Sequence, residues 1–427
     1  MKNTFRALRY PHYRTFWTGM LVAQVGSWMQ STAQSFLVYQ LTGSALRTSL
    51  VMFCFTLPAL FFSLPGGVIA DRYERRRTVV VTQSALMTSA AVLAALTLAG
   101  IVEVWHILAL AFANGIIMAI DIPSRQAMLP GLVAPEDLSN AIALNAALFN
   151  GSRIIGPALA GVIYRAAGPG WCFLLYALSL LAVIVPLARM RLPTRPGDLP
   201  VGVITQILDG LAYVRSHDAV RALIALLAAV ATFGFAWVVV MPAFTVQVLR
   251  RGAVENGYLF AASGVGSTFG ALLVASLRRI PRPGLLIAGS AALTGVMVIA
   301  LGLTRVLPAA LAVIAVMGFC LTCYMSSTNS TVQALVEDRY RGRVMSLYNL
   351  ALTGSGPLGS LFAGWLADAR SVPSSLAVNG ALVLVLAALV YALAPALRRL
   401  DRAWVRLAAG RAAGARSPAA AARGPGS

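Results

Sequence analysis

Gly67-Val68-Ile69-Ala70-Asp71-Arg72-Tyr73-Glu74-Arg75-Arg76-Arg77 is a short charged stretch set between two long apolar runs, 46–69 and 78–102. Its four arginines stand where a chain would re-enter a membrane, and such clusters stay on the cytoplasmic side. The flanking runs are of the length, about 20 residues, that crosses a hydrocarbon core as a helix. Working outward, runs of this kind recur from residue 15 to residue 396, and we count twelve, beginning with 15–40 and ending with 374–396. The composition agrees, because 59% of the 427 residues are hydrophobic and 11% are charged, against about 25% charged in soluble domains. An all-α membrane protein is expected, with little chain left for a soluble domain.

The quoted stretch resembles the pattern Gly-x-x-x-Asp-Arg-x-Gly-Arg-Arg/Lys of the major facilitator superfamily, carried here by Gly67, Asp71, Arg72, Arg75 and Arg76. The resemblance implies twelve transmembrane helices in two pseudo-symmetric six-helix bundles. It also implies a conformational latch, in which the motif acid sits against the start of the eleventh span near Arg343 to Ser346. Glu74 stands where the pattern has glycine, which leaves the tightness of the turn open.

A formal charge of +20 raises the question of nucleic acid, but the charge follows the loops rather than forming one patch. With the N-terminus inside, the cytoplasmic segments hold 27 of the 34 basic residues and the outer loops hold six; Arg153 lies within a span. Both termini are therefore expected in the cytoplasm, with no nucleic-acid partner. The basic start lacks a cleavage site in register, so 15–40 is expected to remain as a span. Cys54, Cys172, Cys320 and Cys323 lie in or beside apolar runs; Cys320 and Cys323 have metal spacing, but no second cluster accompanies them, and no metal, cofactor or disulfide framework is expected. Lys2 is the only lysine, so a phosphate-binding loop ending in Lys-Ser/Thr cannot exist. No catalytic cluster is found either, and the chain is not expected to be an enzyme.

The chain divides into 1–190, a linker 191–220, a second half 221–398 and a tail 399–427. The linker holds Pro193, Pro196 and Pro200, then Ile204, Ile207, Leu208, Leu211 and Val214 at helical spacing, a segment expected to lie on the membrane surface. The tail is rich in Ala, Arg, Gly and Pro and is expected to be disordered beyond about residue 408. An internal repeat supports the division: Arg125-Gln126-Ala-Met-Leu echoes Val332-Gln333-Ala-Leu-Val, and Gly156-Pro157 echoes Gly356-Pro357. Two related halves place a binding site between them near the bilayer midplane. The Gly-Pro pairs have a helix-packing role that needs no ligand.

Polar residues within spans mark the candidate site. Gln24, Ser27, Gln30, Ser31, Gln34 and Ser35 fall on one face of the first span, lining either a helix contact or a water-filled cavity. Asn114, Asp121 and Arg125 share a face in the fourth. Asp121 is a candidate for proton coupling; equally, it is the partner of Arg125 in an i, i+4 pair. Arg153 sits deep in the fifth span with Asn145 and Ser152 on its face, where an arginine costs roughly 2.5–3.5 kcal/mol to insert. It either anchors an anionic group, pairs with an acid such as Asp121, or belongs to a structural network. Thr322, Ser326, Asn329, Ser330 and Gln333 form a stripe in the tenth span, with Asn329 near the repeat equivalent of Asp121.

The strings from Asp121 to Gln126, Asn140 to Asn145, Arg153 to Pro157 and Gln333 to Ser346 are similar to the exporter branch that contains macrolide efflux proteins and the enterobactin exporter. The resemblance, over residues 1–398, implies a proton-driven exporter of drugs or siderophore-like compounds in a bacterial inner membrane, acting as a monomer on a small-molecule substrate. Ala111 stands where many drug antiporters have the arginine of Arg-x-x-Gln-Gly, so that role does not carry over. A nutrient importer or uniporter of the same fold, or a receptor or accessory subunit that does not transport, remains open at this stage.

Overall fold

The computed structural model describes residues 5–190, 203–277, 282–399 and 401, with the side chains of 59–60, 63–72 and 203–208 outside that description. Among the described residues every regular element is helical. Six helices fill the first half: α1 (Pro11–Thr42), α2 (Ala45–Arg72), α3 (Arg75–Leu98), α4 (Val104–Met128), α5 (Leu138–Ala167) and α6 (Pro169–Arg189). The linker helix α7 (Val203–Ser216) precedes α8 (Asp218–Ala229) and α9 (Ala236–Ala243), then α10 (Ala253–Ser276), α11 (Pro283–Leu303), α12 (Leu307–Leu335), α13 (Asp338–Ala369) and α14 (Val372–Leu393). Helices α8 and α9 form one apolar rod, Asp218–Val248, whose backbone widens into π turns at Val230–Gly234 and Phe244–Val248.

Local chemistry sets the helix ends. Proline opens α1, α6 and α11, where its missing N–H is no loss. Gly43, at φ 64°, turns α1 into α2 while its N–H donates to the Tyr39 carbonyl. Glu103 and His106 form a reciprocal cap at the start of α4.

Nine helices among the described residues are long and apolar enough to cross a membrane. Large apolar side chains stand well exposed around them, among them Leu303 (74%), Leu393 (71%) and Phe269 (63%). Water would penalise such a surface, and hydrocarbon would not. The molecule is an all-α, multi-pass membrane protein. The long helices α1 and α13 fall outside the nine, α1 carrying the polar face of Gln24 to Gln34 and α13 the polar and glycine-rich stretch Asn349 to Ser360.

The helices pack in corresponding pairs: α2 on α4 and α10 on α12, α3 on α6 and α11 on α14. Two further pairs, α2 with α13 and α5 with α10, join the first half to the second. The buried clusters show where that joint is tight. One cluster, with Tyr13, Phe16, Leu144 and Leu187, draws only on residues 7–190, and another, with Leu223, Tyr324 and Tyr348, draws only on 213–397. Both lie toward the end that carries the described termini. At the distal end a third cluster mixes the halves, placing Tyr39 and Ala45 with Trp237, Phe244 and Ala363.

The amphipathic helix expected around 204–215 is α7, and its described part packs on α13. Asp209 pairs with Arg343 at 3.0 Å, and Val214 and Tyr213 are buried, the latter stacked on His217 and against Tyr340. Pro193, Pro196, Pro200, the side chains of Ile204, Ile207 and Leu208, and the tail from 402 lie outside the described residues.

Candidate functional site

Small residues let the halves meet from mid-depth to the distal end. A methyl group on Gly257 would lie 2.3 Å from the Pro157 carbonyl oxygen, and one on Gly264 would lie 3.0 Å from the carbonyl oxygen of Arg153. Gly364 of α13 likewise sits against Ser49 and the backbone of Ala45 and Leu46. A carboxylate completes the joint: Asp368 of α13 accepts hydrogen bonds from Ser44 Oγ, Ala45 N (2.8 Å) and Leu46 N (3.1 Å). An acid thus caps the N-terminus of α2 from the other half, where the helix dipole favours negative charge.

At the opposite end, the motif arginines fasten helix C-termini. Arg75 Nη1 donates to the Ala127 carbonyl of α4 (3.0 Å), and Arg76 Nη1 donates to the Leu187 (3.3 Å) and Ala188 (2.9 Å) carbonyls of α6. These carbonyls lie at the negative ends of helices, which cations satisfy, although that of Leu187 also accepts from Met190 N (3.3 Å). Glu74, in place of the pattern's glycine, pairs with Arg76 (3.0 Å) and Arg77 (3.3 Å). Its φ of −58° is open to any residue, so the tight turn between α2 and α3 makes no demand for glycine at this position. Gly67, Asp71 and Arg72 lie on α2, and their side chains are outside the described residues, as is the expected contact of Asp71 with α13.

Asp121 is fully buried, facing α3. Its Oδ1 accepts from Thr82 Oγ1 (2.7 Å) and Gln83 Nε2 (3.0 Å). Arg125 Nε lies 2.6 Å from Oδ2, an ion pair by distance although its N–H is not aimed along a hydrogen bond. Gln83 and Arg125 face the carboxylate with N–H groups, while the single hydroxyl hydrogen of Thr82 has both Asp121 Oδ1 and the Val79 carbonyl (3.1 Å) within reach. Arg125 Nη1 also reaches Met20 Sδ of α1 at 3.9 Å. The structure therefore brings Asp121 to Arg125 and not to Arg153.

Arg153 lies instead at the junction of α1, α5 and α10. Its Nη2 donates to Ser263 Oγ (3.2 Å) and its guanidinium carbon sits 5.8 Å from the Trp28 ring centroid. No carboxylate pairs with it among the described residues. Gly156 makes this possible, since a methyl group there would lie 2.5 Å from Trp28 Cβ.

The other candidates are spread over α1, α4, α5 and α12. Asn114 is buried with Oδ1 unpaired, and Ser152 Oγ is likewise buried and unpaired among the described residues. Asn145 accepts from Tyr13 at 3.4 Å, in a contact that packs α1 on α5. Ser27 lies by the Tyr176 hydroxyl, Gln34 is buried, and Gln24, Thr322 and Ser326 are half-buried. Asn329 accepts from Gln333 and lies beside Tyr348. Pro157 and Pro357 are buried, whereas Gly356 meets only the Ala231 oxygen, at 3.9 Å. Sequence reasoning missed Thr82, Gln83, Trp28, Ser263 and Asp368, each of which acts across to a different helix.

Residues 2–407 match the family model described as transmembrane secretion effector. The chain belongs to the major facilitator superfamily. It is 24% identical to macrolide efflux protein A of Streptococcus pyogenes, covering 91% of this chain and 97% of that protein. It is 28% identical to the multidrug efflux pump Tap of Mycolicibacterium fortuitum (90% and 95% covered) and 25% identical to the enterobactin exporter of Shigella boydii (91% and 93%). Among solved structures, it resembles a bacterial homolog of the human lysosomal transporter Spinster, inward-facing and occupied, with TM-score 0.73 at 15% identity, 92% of this chain and 98% of that one being covered. A peptide transporter of the POT family also gives 0.73, at 13% identity and 91% and 95% coverage. As a superfamily member, the chain is a secondary transporter that moves small molecules across a membrane, and not an enzyme.

Proposed function

We propose that this protein is a proton-coupled exporter of drugs or siderophore-like molecules that works by alternating access between two six-helix bundles, residues 1–190 and 221–398, with twelve spans in all. One observation carries the alternating-access reading: the halves share a buried cluster at the distal end and keep separate clusters at the end bearing the termini. The corresponding pairs α2·α4 and α10·α12, with the crossed pairs α2·α13 and α10·α5, support a two-fold arrangement. The basic residues put the terminus-bearing end in the cytoplasm, so this arrangement is closed outside and faces inward. Export is favoured over import by likeness to relatives named as efflux pumps and exporters.

Asp121 serves as the coupling acid, being the one fully buried carboxylate among the described residues. Facing inward, it has given up its proton and rests against Thr82, Gln83 and Arg125. In the outward-facing state Arg125 swings away and the carboxylate takes up a proton from outside. Arg153, at the joint of the halves, belongs to the central binding region together with Asn114 and the stripe Thr322, Ser326 and Asn329. Inverted membrane vesicles test the function. An imposed pH gradient, acid inside, should drive accumulation of a labelled macrolide or siderophore, and a protonophore should abolish it; accumulation indifferent to the gradient would refute proton coupling.

A further inference from the structure

A guanidinium in the middle of a membrane helix demands compensation, and the partners of Arg153 supply little of it. Residue 153 stands about 22 Å along α5 from its first residue, near the centre of a hydrocarbon core about 30 Å thick. Ser263 Oγ is its one hydrogen-bond acceptor among the described residues, and the guanidinium carries several further N–H donors. Beside it, Trp28 Nε1 is a second buried donor without an acceptor. The ring of Trp28 also meets Phe149 edge-on at 5.7 Å, and Phe149 is 48% exposed. Donors and aromatic faces therefore gather at one point, while acceptors do not. Gly156 and Gly264 set the separation, because side chains there would push α1 and α10 away from α5.

We infer that Arg153 and Trp28 form a subsite for the anionic group of an organic carboxylate, whose aryl or apolar body packs on Trp28 and Phe149. A carboxylate brings the acceptors that the donors lack, and its charge offsets the buried cation. A lipid headgroup is too shallow to supply that anion at mid-helix depth. The contact with Ser263 crosses from one half to the other, so rocking the halves apart would alter the subsite between its two states.

This inference rests on the transport reading only in calling the ligand a substrate. Binding to purified protein in detergent tests it without any gradient, using benzoate as the probe and its neutral isostere benzamide and the cation benzylamine as controls. Titration calorimetry should show benzoate binding and neither control. Arg153→Gln should weaken benzoate about tenfold or more, and Trp28→Phe, which keeps the ring and loses the N–H, should weaken it several-fold. If Arg153→Gln does not fold, Arg153→Lys and Trp28→Phe carry the test. No benzoate binding, equal binding of benzamide, or unchanged affinity in the variants would overturn the subsite. Gradient-driven flux in a protein indifferent to benzoate would overturn the subsite and leave proton-coupled export standing. Benzoate binding in a protein that moves nothing would do the reverse.

Discussion

Removing the Asp368 carboxylate should loosen the distal joint by an amount the geometry sets. Asp368 accepts from Ser44 Oγ, Ala45 N and Leu46 N, so from the opposite half it adds a second cap to α2 beside Ser44 Oγ, which accepts from Arg47 N (3.1 Å). Losing such a cap costs about 0.5–2 kcal/mol, and the charge at a helix N-terminus contributes about 0.3–1 kcal/mol of that kind of stabilisation. Asp368 is exposed, which places the net loss in the middle of these ranges, about 1.4 kcal/mol, or a tenfold change in the equilibrium between joined and parted distal ends. Asp368→Ala should produce that full shift. Asp368→Asn keeps an oxygen acceptor and loses the charge, so it should shift the ratio only about twofold to fivefold. Spin labels at Ile101 and Val306, exposed in distal connections of the two halves, would report the ratio of long to short separations by pulsed electron resonance. Identical distance distributions in wild type and Asp368→Ala would refute the cap as a latch.

Three other outcomes follow from the same geometry. Arg76→Ala, which takes the guanidinium from the Ala188 carbonyl and leaves the Leu187 carbonyl only its bond from Met190 N, should destabilise the folded protein by about 1–2 kcal/mol, read from denaturant unfolding in detergent. Glu74→Gly removes both of its ion pairs and restores the superfamily pattern; since these pairs are partly solvated, stability should fall by less than about 1 kcal/mol and transport should persist. Gly257→Val places a side chain against the Pro157 carbonyl and should part α5 from α10, seen as longer label separations and loss of transport at normal protein levels.

The sequence made the spans legible because hydrocarbon imposes one requirement, length and apolarity, on every one of them. It also exposed the polar faces of α1, α4, α5 and α12, since helical periodicity says which residues share a face. Periodicity does not say which helix that face meets. Asp121 and Arg125 were readable as an i, i+4 pair, but Thr82 and Gln83 come from α3 and leave no local signature. The same holds for Ser263, about 110 residues from Arg153, and for Asp368, which in the sequence is an ordinary acid near a loop. Arg75 and Arg76 illustrate the limit from the other side. The latch expected of their motif rests on Asp71, whose side chain lies outside the described residues, while Arg75 and Arg76 themselves hold the carbonyl ends of α4 and α6 in their own half. The π turns leave no local signature either: Val230–Gly234 packs on α13 and α14, and Phe244–Val248 on α14.

Proton-coupled export through Asp121 is tested most directly by Asp121→Asn in inverted vesicles, where uphill accumulation and downhill exchange are measured on the same preparation. The amide oxygen still accepts from Thr82 and Gln83 while the ion pair with Arg125 is lost, so the amount of folded protein is measured on the same preparation; no proton can be gained or lost at this site. Accumulation driven by an imposed pH gradient should disappear, and exchange of labelled for unlabelled substrate should continue. A variant that still drives substrate uphill under the gradient would contradict the account, leaving Asp121 a structural partner of Arg125.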